Sequence, residues 1–125
     1  METRHILVVD DEAPVRLLVE KILKAEGYKV TAVSGGMAAL QEARESKPDL
    51  VVLDLSMPGI DGYSVCSMFK RDKTRKLPVI ILSGLTRDKD LKQAKDAGCD
   101  AFLPKPIVRE DLLAKIAELL GPAAV

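Results

Sequence analysis

Three apolar runs in this 125-residue chain, Ile6-Leu7-Val8-Val9, Leu50-Val51-Val52-Leu53 and Val79-Ile80-Ile81-Leu82, carry no polar residue at any alternate position. A strand solvated on one face alternates polar and apolar side chains, so a strand that does not must be covered on both faces. Parallel sheets flanked by helices supply such cover. Two further runs, 29–33 and 101–103, complete five strand candidates, and segments of helical period follow them at 13–26, 36–46, 61–72, 87–97 and 108–120. The alternation predicts five βα units.

Lys29 and Thr31 interrupt the second run, which assigns it to an edge, and Pro104 lacks the N–H that a central strand needs, which assigns the fifth to the opposite edge. Right-handed crossovers then give the parallel order 2-1-3-4-5. The expected fold is a doubly wound (βα)5, flavodoxin-like α/β three-layer sandwich. In the first helix Val15, Leu18, Val19, Ile22 and Leu23 share one stripe, and Gly27 ends it. Leu112, Leu113, Ile116, Leu119 and Leu120 repeat the pattern in the last helix, which Gly121-Pro122 ends, although Val108 brings no capping oxygen to its start. Asp61 reads as the cap of the third helix. The fourth helical segment offers only Leu91 and a few alanines to the core and should be the least firmly anchored.

Nineteen basic and nineteen acidic residues cancel, so the chain lacks the charge footprint that nucleic acid or an anionic membrane surface would require. No apolar leader opens it and its apolar runs are only strand-sized, which predicts a cytoplasmic protein with no membrane span. Cys66 and Cys99 show no CxxC spacing and lie far from His5, the only histidine, so both read as reduced, buried thiols. One domain is expected over 1–125, with a core at 5–120 and a short tail at 121–125. With only five residues after Leu120, such a domain would act by docking, unless it is part of a longer chain.

Four of the strands run straight into a polar group: Val9 into Asp10-Asp11, Leu53 into Asp54, Leu82 into Ser83, and Leu103-Pro104 into Lys105. In a parallel sheet these ends share one edge, and ligands of open α/β sheets bind there, where strand order reverses. Two carboxylates about 4 Å apart repel by about 4 kcal/mol at an effective dielectric of 20, so Asp10, Asp11 and Asp54 would be costly together without a cation. Oxygen-only ligands favour Mg²⁺, which leaves room for phosphate oxygens. Lys105 adds a positive charge and Ser83 a hydroxyl, both suited to a phosphoryl group carried on a carboxylate, and Asp54 is the candidate acceptor.

Over essentially its whole length the chain resembles the receiver domains of bacterial two-component response regulators, in a single-domain, chemotaxis-regulator-like form. The motifs are Val8-Val9-Asp10-Asp11-Glu12, the stretch from Asp54 through Met57-Pro58-Gly59 to Asp61-Gly62, Leu82-Ser83-Gly84, and Phe102-Leu103-Pro104-Lys105-Pro106. The resemblance implies that Asp54 accepts a phosphoryl group from a histidine kinase or phosphotransfer protein, and that Asp10, Asp11, Asp54 and the backbone carbonyl of Ser56 hold Mg²⁺. It implies further that Ser83 bonds a phosphoryl oxygen while Phe102 moves from an exposed to a buried rotamer. Lys105 would pair with the acyl phosphate beside a cis Lys105-Pro106 bond. The signal would leave through the surface of helix four, strand five and helix five to a downstream protein target that the sequence does not identify. Serine at 83 in place of the frequent threonine, and Pro104 in strand five, depart from the family pattern without removing a required group. Ser56 and Gly84 match positions that tune dephosphorylation in the family, so phosphoryl lifetime stays open, as does a phosphorylation-dependent homodimer.

Two other functions fit parts of the pattern. A Mg²⁺-dependent phosphohydrolase would need a general acid just beyond its nucleophile, and Leu55, Ser56 and Met57 supply none. A phosphorylation-independent scaffold would have no use for the converging carboxylates.

Overall fold

The computed structural model describes residues 3–55, 61–72, 76–84 and 87–121. The apolar runs form β1 (His5–Val9), β2 (Lys29–Val33), β3 (Leu50–Asp54), β4 (Val79–Ser83) and β5 (Ala101–Pro104), paired in parallel in the order β2-β1-β3-β4-β5. Between and after them run α1 (Ala13–Ala25), α2 (Gly36–Ser46), α3 (Gly62–Arg71), α4 (Asp88–Asp96) and α5 (Arg109–Leu120). Every residue of β1, β3 and β4 is buried, whereas β2 and β5 are only partly covered, as expected of edges.

Strand alternation divides the core into two layers. Ile6, Val8, Leu50, Val52, Ile80 and Leu82 pack against Val19 and Leu23 of α1 and Leu112 and Ile116 of α5. On the opposite face Leu7, Val9, Val51, Leu53 and Ile81 meet Ala39 of α2, Val65, Cys66 and Phe69 of α3, and Ala94 of α4. Burying a leucine or isoleucine here contributes about 1.5–3 kcal/mol relative to exposure, which makes these two layers the main stabilising element of the fold.

Local signals act where the sequence indicates. Gly27 follows α1 with φ +94°, a left-handed conformation that disfavours other residues. Asp61 caps α3, its carboxylate accepting from Ser64 N at 3.0 Å, and these hydrogen bonds hold its pKa below the usual carboxylate value. Val108 caps α5 without a side-chain bond. The Lys105-Pro106 bond is cis. No helix among the described residues is long and apolar enough to cross a membrane.

Three expectations need correction. Leu18 stands 49% exposed, because the core-facing stripe of α1 narrows to Val19 and Leu23 with Val15 and Ile22 at its margin. Leu91 of α4 likewise faces outward at 41% exposure. Its neighbour Asp90 is buried instead, its Oδ2 taking hydrogen bonds from Arg87 N at 3.2 Å and Arg87 Nε at 2.9 Å. The guanidinium bond holds the Asp90 carboxyl below its usual pKa, so an acid near the helix start is stabilised there in place of the leucine. Of the two thiols, Cys66 is buried, and burial pushes its pKa up to about 12, but Cys99 is only half-buried.

Candidate functional site

Backbone hydrogen bonds continue one residue past the strand ends and fix the groups that follow. Asp10 N donates to Val33 O at 3.1 Å, Leu55 N to Leu82 O at 3.3 Å, and Lys105 N to Ser83 O at 2.8 Å. Alternation carries through these ends: Asp10 continues the Ile6/Val8 face and Asp54 the Leu50/Val52 face, toward α1 and α5, while Ser83 continues the Val79/Ile81 face toward α3 and α4. Phe102 packs on that second layer too, half-buried. Three charges therefore meet on one side of the sheet edge, and the hydroxyl and the aromatic ring lie on the other.

Asp10 and Asp54 are each 1% exposed and Ser83 is fully buried. Lys105 Nζ lies 3.0 Å from Asp54 Oδ1, 3.4 Å from Glu12 Oε1 and 3.5 Å from Asp10 Oδ2. Burial pulls the Lys105 pKa down, but its hydrogen bond to Asp54, the charges of Asp54 and Asp10 and its hydrogen bond to Glu12 outweigh that pull and raise it above the usual lysine value. The lysine is therefore an ammonium at any physiological pH. Asp10 Oδ1 accepts Glu12 N at 2.9 Å and Asp10 O accepts Arg16 Nη1 at 2.8 Å, which locks the turn into α1.

Asp10, Asp11, Glu12 and Asp54 each bring a carboxylate oxygen within 4.8 Å of the others. Asp10 Oδ2 is buried and receives no hydrogen bond. An acceptor left so in a cluster of four carboxylates, with oxygen as the sole donor type, fits a hard divalent cation. On the far side Gly62 opens α3 directly against the acceptor strand: a Cβ there would lie 2.7 Å from Leu55 Cα and 2.9 Å from Asp54 O. Only glycine permits that approach.

The five side chains expected from the sequence at 10, 11, 54, 83 and 105 thus gather at one edge. Ser56, whose carbonyl is the remaining expected ligand, lies outside the described residues. Phe102 is half-buried. Glu12 was not among the expected site residues, although it completes the acidic triplet Asp10-Asp11-Glu12 and its carboxylate reaches Lys105.

A family model described as the response regulator receiver domain matches residues 6–117. Response regulator PleD of Caulobacter vibrioides is 44% identical over 117 residues, covering 92% of this chain and 26% of PleD. The DNA-binding dual master transcriptional regulator RpaA of Synechocystis is 37% identical, covering 93% of this chain and 48% of its own length. This chain thus spans about half or less of those curated relatives. The BeF3-activated N-terminal receiver domain of Klebsiella pneumoniae RstA superposes with a TM-score of 0.88 at 26% identity, covering 94% of this chain and 98% of that one.

Proposed function

The chain belongs to the response regulator receiver family, and from that premise we propose that Asp54 is the residue its phosphoryl group joins. As a member of the family it is a phosphoaccepting switch of two-component signalling and not a conventional enzyme. That sets aside turnover of an external phosphomonoester, and the assembled acidic pocket leaves a scaffold that is never phosphorylated without support. One observation carries the assignment. Asp54 ends β3 as a 1% exposed carboxylate whose Oδ1 lies 3.0 Å from the Lys105 ammonium, inside the four-carboxylate cluster.

The chemistry follows from those positions. An Asp54 carboxylate oxygen attacks the phosphorus of a phosphohistidine; the P–O bond of an acyl phosphate forms as the P–N bond breaks, and the imidazole leaves with its electron pair. Lys105, already at the acceptor, stabilises the negative charge of the transferred oxygens. Ser83 donates its hydroxyl to one of them. Mg²⁺ held by Asp10, Asp11, Asp54 and the Ser56 carbonyl would neutralise charge on the phosphoryl oxygens.

The switch runs through the other side of the sheet edge. Drawing Ser83 toward the phosphoryl group alters the face on which Phe102 packs, and α4 is the lightly anchored neighbour there, burying only Asp90 and Ala94. A shift in population at α4, β5 and α5 is the proposed output. The donor is a histidine kinase or phosphotransfer protein working with this chain in the cytoplasm, and the target is a protein that docks on the altered surface. Residues 1–125 are proposed to act as one receiver domain.

Incubation with a small acyl phosphate and Mg²⁺, followed by intact-mass measurement, tests the assignment. One added phosphoryl mass, lost in Asp54→Asn, is expected. An unchanged mass together with failure to bind beryllium fluoride would overturn it, as would phosphorylation that persists in Asp54→Asn.

A further inference from the structure

We infer that Glu12 is the outer station of the Lys105 ammonium, the group that receives it when a divalent cation enters the pocket. This rests on the proposed cation site. Lys105 Nζ stands among three carboxylates that differ sharply in solvent access. Asp54 at 3.0 Å and Asp10 at 3.5 Å have side chains 1% and 2% exposed, whereas the Glu12 side chain at 3.4 Å is 59% exposed. The ammonium thus sits on the boundary between the buried pocket and water.

A dication held by Asp10 and Asp54 needs the carboxylates that the ammonium now neutralises. Like charges a few ångströms apart repel strongly in a partly desolvated pocket, so the ammonium must withdraw outward as the dication enters. Outward is where Glu12 lies. A carboxylate already in ion-pair range receives the lysine without full rehydration of its charge, and keeps it close enough to return to a phosphoryl group on Asp54.

A second observation frees Glu12 for this role. It occupies the N-cap of α1, where a side chain commonly bonds the first turn, yet it makes no capping hydrogen bond. Helix stability therefore does not account for where its carboxylate points. Its reach toward Lys105 leaves an obvious use for a charged, flexible side chain at the rim.

Calorimetric Mg²⁺ titration of the full chain in four forms tests the inference: unaltered, Glu12→Gln, Lys105→Gln and the double variant. Glu12 is exposed, so its substitution leaves the fold intact. Glu12→Gln should weaken Mg²⁺ binding about two- to fivefold, the scale of an exposed ion pair. Lys105→Gln should tighten it, and in that background Glu12→Gln should change affinity by less than about 1.5-fold, because there is no ammonium left to receive. An equal loss in both backgrounds would mean that Glu12 attracts the cation merely by its charge, and would overturn the inference alone. Unchanged affinity in Glu12→Gln would also overturn it alone. Absence of Mg²⁺ binding in every form would remove the cation site itself, and the inference with it.

Discussion

At the amino-terminal rim of the sheet, Asp49 Oδ2 accepts His5 N at 2.8 Å, and His5 Nε2 lies 2.8 Å from Thr31 Oγ1. Asp100 Oδ2 accepts both Val79 N and Lys70 Nζ at 2.8 Å, and Lys70 Nζ also donates to Leu77 O at 3.0 Å. Each of these charges ties off backbone at a strand start. At the opposite rim, four carboxylates crowd within 4.8 Å and three of them share the ammonium of Lys105. Among the described residues, the same sheet thus carries a rim whose polar groups are matched and a rim where four carboxylates gather around the Lys105 ammonium. Matched groups hold a fold together, whereas crowded carboxylates, two of them buried, store affinity for something the chain must acquire.

Substitutions can break that contrast in decreasing order of effect. Asp54→Asn should abolish phosphoryl uptake, measured by intact mass, while the protein stays folded by circular dichroism; residual uptake at another carboxylate would relocate the acceptor. Gly62→Ala should cost about 3 kcal/mol in denaturant unfolding, since a methyl group would overlap backbone on both Leu55 and Asp54. A neutral result would mean that α3 is not pressed against the acceptor strand. At the matched rim, Asp100→Ala should destabilise by about 1–2 kcal/mol, removing the acceptor of Val79 N and the carboxylate paired with Lys70 Nζ, yet phosphoryl uptake should be unchanged. Loss of uptake there would show that the two rims are coupled.

The smallest effect is a pH dependence. Burial, reinforced by the charge of Lys29, holds the His5 pKa below 6.5. Above that pH both folded and unfolded chains carry neutral imidazole. As the pH falls below it the unfolded chain binds the proton first, so stability declines and then levels off beneath the folded-state pKa. Unfolding curves of the unaltered chain and His5→Gln should diverge in that window by less than about 1 kcal/mol. Equal acid sensitivity in both would assign the effect to other groups.

How much was legible in sequence follows the same division. Continuous apolar runs specified which strands are central, Lys29 and Pro104 marked the edges, and the polar residue ending each strand marked the acidic rim. Parallel pairing alone then brings Asp10, Asp54, Ser83 and Lys105 together, because residues at strand ends share an edge whatever the details of packing. The matched rim was not legible. Asp100 meets Val79, and Asp49 meets His5, only through the register and loop geometry, which leave no periodic trace. Helix faces were partly legible for a similar reason: α4 is so polar that periodicity favoured Leu91, while the Arg87 pairing that stabilises buried Asp90 is a local geometric effect. Glu12 was visible as the third acid of a triplet, but its reach to Lys105 depends on a side-chain direction that spacing does not encode.

A Mg²⁺ titration followed residue by residue through amide NMR shifts tests the contrast between the rims most directly. Saturable shifts concentrated at residues 10–12, 54–55, 83–84 and 105, with positions 5, 49, 79 and 100 nearly still, are predicted. No saturable shift, or shifts of similar size at both rims, would contradict the claim that the carboxylate cluster at the carboxyl ends of the strands is a cation and phosphoryl site.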